Sequence, residues 1–160
     1  MKKKILVLLI AIAAIICCSS VVSAGLFDFF GGGVQNQTHE FSGGVSFDFP
    51  ENCVVTDITN ADDDPYHFYR VVNNETGGRL MICTVPKSKV VSLEQYISNL
   101  KNSGYHPEKQ GTYGDWTILK FGDNEGYKYE LYYKGSSTQV LIDGDDLQLL
   151  KNVADTFKET

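Results

Sequence analysis

Short segments that alternate apolar and polar residues, separated by turn-forming residues, constrain the fold of this chain most strongly. Residues 45–49 read Val-Ser-Phe-Asp-Phe and stop at Pro50, which is the pattern of a half-buried strand. Further segments are rich in β-branched and aromatic residues, and Asn, Asp, Gly and Pro lie between them. These predicted strands cover residues 53–59, 66–72, 79–85, 105–112, 116–121, 127–133 and 138–142.

Two segments have a helical period instead. Ser92 stands at a capping position with Gln95 three residues later, and Gly104 stands at the predicted end of that helix. A second helix begins near residues 143–146, whose aspartates suit the positive end of a helix dipole. The order β-β-β-β-α-β-β-β-β-α predicts an α+β domain, in which an antiparallel sheet made of two meanders packs against two helices.

The first 24 residues have the form of a signal peptide. Three lysines at residues 2–4 precede an apolar run over residues 5–18, and Val22 and Ala24 occupy the small-residue positions that a signal peptidase reads. We therefore expect cleavage after Ala24 and a secreted or extracytoplasmic mature protein. The apolar run is shorter than the ~20 residues of a membrane-spanning helix.

Two alternatives to cleavage remain open. An uncleaved segment that continues through Leu26 and Phe27 would anchor the protein in the membrane. Lipidation at Cys17 or Cys18 would also anchor it, although the residue before each cysteine is Ile16 or Cys17 rather than a small one.

The remaining chain divides into a leader and one domain. Residues 25–44 combine an apolar cluster with a Gly-rich polar linker, and residues 45–160 suffice for a single core. The cluster suits docking on the domain, contact with a membrane surface or contact with an envelope partner. Its members are Leu26, Phe27, Phe29 and Phe30.

The charge balance argues against a nucleic-acid partner. Loss of the three N-terminal lysines changes the formal net charge from −6 to −9. The remaining Lys and Arg residues are scattered along the chain, whereas binding to a phosphate backbone requires basic clusters. We therefore expect no nucleic acid among the ligands.

Cys53 and Cys83 are the cysteines of the predicted mature chain. An even pair in an exported protein permits a disulfide. A simple meander, however, places Cys53 opposite the region of Val72 and Cys83 opposite the region of Phe68, which does not bring the two sulfurs together. A disulfide and two separate buried thiols are both open.

Two short sequences match the acceptor pattern of N-linked glycosylation. They begin at Asn36 and Asn74, and each has Thr two residues later. Both lie in predicted loops. Because a pattern this short recurs by chance, chance occurrence is the favoured interpretation.

Clusters of aspartate are the nearest approach to a metal site. Asn60, Asp62 and Asp64 have the first, third and fifth spacing of a calcium loop, but proline and valine stand where that loop needs glycine and its bidentate acid. An EF-hand is therefore excluded, and a looser Ca²⁺ site is the hypothesis. Asp143 and Asp145, which bunch with Asp146 around Gly144, form a second candidate, although helix capping is the simpler explanation of this cluster.

The sequence assigns no catalytic residue. It contains no Gly-x-Ser-x-Gly nucleophile turn and no phosphate-binding loop, and His39, His67 and His106 lie far apart. An enzyme would have to assemble its site in the fold, and the segment from Asp62 to His67 is the candidate for an envelope hydrolase.

Aromatic residues are concentrated on two predicted strands. Tyr66, Phe68 and Tyr69 lie on one, and several tyrosines between residues 127 and 133 lie on the other. Such residues typically form core and cross-strand pairs. If exposed, they would suit a sugar or an apolar ligand.

The element order resembles the Mog1/PsbP-like family of α/β/α sandwiches over about residues 45–158. The resemblance lies in the opening Phe-Asp-Phe-Pro, the central Ser-Leu-Glu-Gln-Tyr and the closing Val-Ala-Asp-Thr-Phe. It implies a non-catalytic binding or accessory protein, attached to an envelope protein or membrane complex. The signal and the Gly-Leu-Phe-Asp-Phe-Phe leader also resemble small exported proteins of methane-producing archaea. A structural protein that assembles through its leader is the remaining alternative.

Overall fold

The computed structural model describes residues 35–60, 63 and 65–159, so the predicted signal peptide and the apolar leader lie outside the described residues. A 3₁₀ turn, Lys87–Lys89, precedes the first helix. The other elements are β1 (Asn36–Phe41), β2 (Val45–Pro50), β3 (Cys53–Asp57), β4 (His67–Asn73), β5 (Arg79–Pro86), α1 (Leu93–Asn102), β6 (Glu108–Tyr113), β7 (Trp116–Lys120), β8 (Tyr129–Lys134), β9 (Thr138–Gly144), α2 (Leu147–Ala154) and β10 (Lys158–Glu159). The predicted α+β class is confirmed.

The larger sheet has seven antiparallel strands in the order β3-β4-β5-β9-β8-β7-β6. Its two halves contain the strands of the two predicted meanders except β2, which belongs to a separate sheet, and they join where β5 pairs with β9, from Met81 opposite Asp143 to Pro86 opposite Thr138. Strand β9 lies at the centre of the sheet, and all of its residues are buried. Polar side chains on β9 therefore require partners inside the protein.

A smaller sheet of order β1-β2-β10 was not predicted. The assignment of residues 36–41 to a linker is wrong, because these residues form β1 and pair with β2, His39 lying opposite Phe47. Its polar sequence fits an edge strand whose outer side chains face water. Strand β10 pairs with Val45 and Ser46 from the far end of the chain.

The larger sheet is covered on both faces. The smaller sheet and α2 cover one face, where Phe47 and Phe49 pack in one cluster with Leu150 and Ile142. Helix α1 covers the other face, where Tyr96 packs with residues such as Leu119 and Leu141. Within the described residues, no helix combines the length and apolar character needed to cross a bilayer.

Both helices begin at the predicted caps. Ser92 Oγ accepts a hydrogen bond from Gln95 N at 3.2 Å, and Gly104 ends the α1 segment with φ +92°. Asp146 Oδ1 accepts from Gln148 N and Leu149 N at 2.9 and 3.1 Å. Of the aspartates near α2, it is Asp146 that makes these capping bonds.

Candidate functional site

The predicted calcium and hydrolase segment lies only partly within the described residues. Asp62 and Asp64 lie outside those residues. Asp63 Oδ2 accepts hydrogen bonds from Asn60 N and Asn60 Nδ2, at 2.9 and 3.1 Å, which closes a local turn. His67 is half-buried at the start of β4. Across residues 35–60, 63 and 65–159, no group of three or more His, Cys, Asp or Glu side chains is placed to hold a metal ion.

The two aspartates of the second calcium candidate, Asp143 and Asp145, lie in different environments. Asp145 lies beyond the end of β9 and accepts a hydrogen bond from Lys128 N at 3.1 Å. Asp143 lies within β9 and is buried against Glu130. Of the aspartates at residues 143–146 that are predicted to cap the second helix, Asp146 makes the capping bonds.

Cys53 and Cys83 are free, buried thiols. Cys53 belongs to the cluster under the smaller sheet and Cys83 to the cluster under α1, so they lie on opposite faces of the larger sheet. Burial raises the pKa of Cys53 to about 11 and that of Cys83 well above its usual value. Of the two possibilities left open by the sequence, the structure has separate thiols.

The two glycosylation patterns lie in different settings. Asn74 is exposed in the turn between β4 and β5, and its N–H donates to Asn52 O at 3.0 Å. Asn36 is the first residue of β1, so its predicted loop position is wrong. Its Thr38 donates to Asp48 Oδ1 at 2.6 Å.

A buried pair of acids lies beneath α1. Glu130 on β8 faces Asp143 on β9 in the register of the sheet, and their exposed fractions are 2 % and 5 %. The Tyr96 hydroxyl of α1 donates to Glu130 Oε2 at 2.7 Å. Glu130 Oε1 and Asp143 Oδ2 have no donor among the described residues. The two carboxyl groups can bond to each other only through a proton that they share.

Burial determines the protonation of this pair. Desolvation raises the pKa of Glu130 to about 7, against the lowering effect of its hydrogen bonds. Desolvation, and then repulsion by Glu130, raises the pKa of Asp143 well above its ordinary value. Both shifts favour a proton held within the pair. A cavity of about 20 Å³, room for about one water molecule, borders it.

A larger cleft lies between α1 and the β4–β5–β9 part of the sheet. Its volume is about 320 Å³, at the lower end of the range for ligand pockets, ~300 to 1,000 Å³. The floor consists of residues from the sheet, and the roof of residues from α1 and the segment before it. Its apolar lining comes from Phe68, Cys83, Val85, Val90, Val91, Leu100 and Leu141.

Polar groups line the same cleft at separate points. Gln139 lies on the floor and is 2 % exposed, whereas Lys89 is exposed. Tyr66 is half-buried, and burial raises the pKa of its hydroxyl. Tyr96 links the cleft to the acid pair, because its side chain lines the cleft while its hydroxyl reaches Glu130.

Sequence reasoning found part of this site. The sequence favours a core role for Tyr66, Phe68 and Tyr69 and leaves ligand contact as the alternative. Phe68 and Tyr69 are buried on opposite faces of the larger sheet, and Tyr66 and Phe68 also line the cleft. Glu130 and Gln139 were missed. The available signal was their position in strands with apolar residues on both faces, a pattern that indicates burial on both sides.

The chain matches no protein-family model, and no curated protein or solved structure was found to be similar to it.

Proposed function

We propose that this protein is an exported, non-catalytic binding protein that takes a small, mainly apolar molecule in the cleft beneath α1. The observation that carries the proposal is the cleft itself, which has a volume of about 320 Å³ and a predominantly apolar lining. A cleft of this kind is the default candidate for a ligand site. The resemblance to a family of binding and accessory proteins agrees with this role.

The chemistry of the cleft lining favours binding over catalysis. The pKa of Cys83 is raised by burial, so its sulfur is held as the thiol rather than the nucleophilic thiolate. Glu130 and Asp143 are not among the cleft-lining residues. Among the described residues, the cleft lining therefore offers surfaces for contact rather than an activated nucleophile beside a base.

The export half of the proposal rests on residues 1–24. N-terminal sequencing of the protein isolated from its own cells tests it directly. A start at Gly25 is expected, since Ala24 occupies the last position of the cleavage pattern. An intact N-terminus would show that the segment is retained and would contradict release.

Blocking the cleft from its roof tests the binding half. Asn99 is a half-buried α1 residue that lines the cleft, so Asn99→Trp places an indole at the opening. Ser98→Trp adds the same group at an exposed α1 position that does not line the cleft. Octanol, a neutral apolar probe, should bind the native protein and Ser98→Trp saturably in calorimetry, but not Asn99→Trp. Equal binding to all three proteins, or none to the native protein, would overturn the proposal.

A further inference from the structure

We propose that the ligand of this cleft is an apolar molecule that carries a carboxylate, which the side chains of Gln139 and Lys89 bind. The proposal rests on the function proposed above and specifies the chemistry of the ligand. Three observations within the described residues carry it: the Gln139 amide nitrogen makes no hydrogen bond, the Lys89 ammonium forms no ion pair, and the cleft lining contains no acidic side chain.

Gln139 supplies the fixed hydrogen-bond donor. It lies on the central strand β9, opposite Val85 on one side and Lys134 on the other, and it is 2 % exposed. Val91 N donates to Gln139 Oε1 at 3.4 Å, which orients the amide. Gln139 Nε2 has no acceptor among the described residues. Because this amide lines the cleft and its nitrogen makes no bond within the described residues, a ligand oxygen at this position would gain a hydrogen bond without displacing a protein partner.

Lys89 supplies the positive charge. It is exposed, it lines the cleft, and within the described residues it forms no ion pair. Of the described cleft-lining residues, it is the one with a formally charged side chain. In a chain whose formal net charge is −6, an unneutralised lysine beside an apolar cleft favours an anionic ligand.

The rest of the lining fits a carboxylic acid with an apolar body. Phe68, Leu100 and Leu141 provide apolar contact surface. The nearby acids Glu130 and Asp143 do not line the cleft, and the shared proton reduces their charge. A protonated amine would be repelled by the positive charge of Lys89 and would offer no acceptor to the Gln139 amide. A carboxylate supplies acceptors for both groups.

Three octyl compounds that differ only in their head group test this inference. Octanoate, octanol and octylamine are titrated by calorimetry into the full chain at neutral pH, below the concentration at which they form micelles. Octanoate should bind about fivefold more tightly than octanol, as expected for one additional net hydrogen bond, and octylamine should bind most weakly. Asn99→Trp should abolish binding of all three.

Two variants assign the preference to the named residues. Lys89→Met and Gln139→Met should each reduce the affinity for octanoate toward that for octanol and leave octanol binding unchanged. Lys87→Met is the matched control, since Lys87 lies in the same 3₁₀ turn but does not line the cleft. Retention of octanol binding shows that each variant is folded.

The outcomes separate the two proposals. Equal binding of octanoate and octanol, with both blocked by Asn99→Trp, would overturn the carboxylate preference and leave the binding function standing. An undiminished octanoate preference in Lys89→Met and Gln139→Met would also overturn the inference. Failure of all three compounds to bind the native protein would overturn the proposed function.

Discussion

Replacement of the buried acid pair by amides tests how the protein holds α1 on its sheet. In the double variant Glu130→Gln and Asp143→Asn, one amide nitrogen can donate to the other amide oxygen, and Gln at position 130 can still accept from Tyr96. The native pair makes the equivalent bond only while it keeps a proton. The double variant should therefore fold. Because its amides do not titrate, these two positions should no longer make its stability depend on pH.

The sign and magnitude of this pH dependence of stability follow from the pKa of Glu130, which rises from 4.5 in the unfolded chain to about 7 in the folded protein. Between these values the folded state binds more protons, so the free energy of unfolding falls as the pH rises. A tenfold change in proton affinity corresponds to about 1.4 kcal/mol, so Glu130 alone should account for a loss of about 3 kcal/mol, mostly between pH 5 and 8. Asp143 should add to the loss, because its pKa is also raised.

Other groups that face the pair do not interfere in this range. Burial raises the pKa of Tyr96 and of Cys83 well above their ordinary values, and that of Tyr127 to about 12, so all three stay neutral. Titratable groups elsewhere in the chain are the same in the native protein and in the double variant. Their contribution cancels when the native protein and the double variant are compared at each pH.

The assay is urea denaturation followed by circular dichroism at pH 5 and 8. The native protein should lose about 3 kcal/mol relative to the double variant over this interval, while Glu51→Gln, a change at an exposed position, should follow the native profile. If the free energy of unfolding changes equally with pH in the native protein and in the double variant, the acid pair does not share a proton.

Three further predictions concern other parts of the fold. Asp146→Ala should lower the free energy of unfolding by about 1 kcal/mol in urea denaturation, because Asp146 caps two N–H groups of α2. Cys53 and Cys83 should resist a thiol reagent in the native protein and react in denaturant, as peptide mapping would show; a linked Cys53–Cys83 peptide would contradict the separate thiols. Glu159→Gln should lower the Tm more at pH 7 than at pH 3. Hydrogen bonds from Ser137 hold the pKa of Glu159 at about 2, so its stabilising contribution is present above pH ~4.5 and is lost as the pH falls toward 2.

The parts of the fold predicted from sequence are those with a local signal. Strand β2 follows from alternation, and α1 follows from Ser92 and Gly104. Strand β1 was missed because residues 36–40 are polar. The separate small sheet was missed because β10 pairs with β2 from the opposite end of the chain, and no local pattern specifies such a pairing.

The site depends still more on distant contacts. Tyr96, Glu130 and Gln139 come from three different elements, and the packing of α1 on the sheet brings them together. In the sequence, the acidic neighbours of Asp143 suggest a Ca²⁺ site or a helix cap. Its environment, however, is set by Glu130 across the sheet, so proximity along the chain indicated the wrong chemistry.

The most direct test of the central claim is a titration of the isotope-labelled full chain with octanoate, followed by amide NMR. If the cleft beneath α1 binds the ligand, saturable shifts should appear at the backbone amides of Val91 and Asn99 and at the side-chain amide of Gln139, all of which belong to cleft-lining residues. Saturable shifts confined to the smaller sheet, or no saturable shifts at all, would contradict the account.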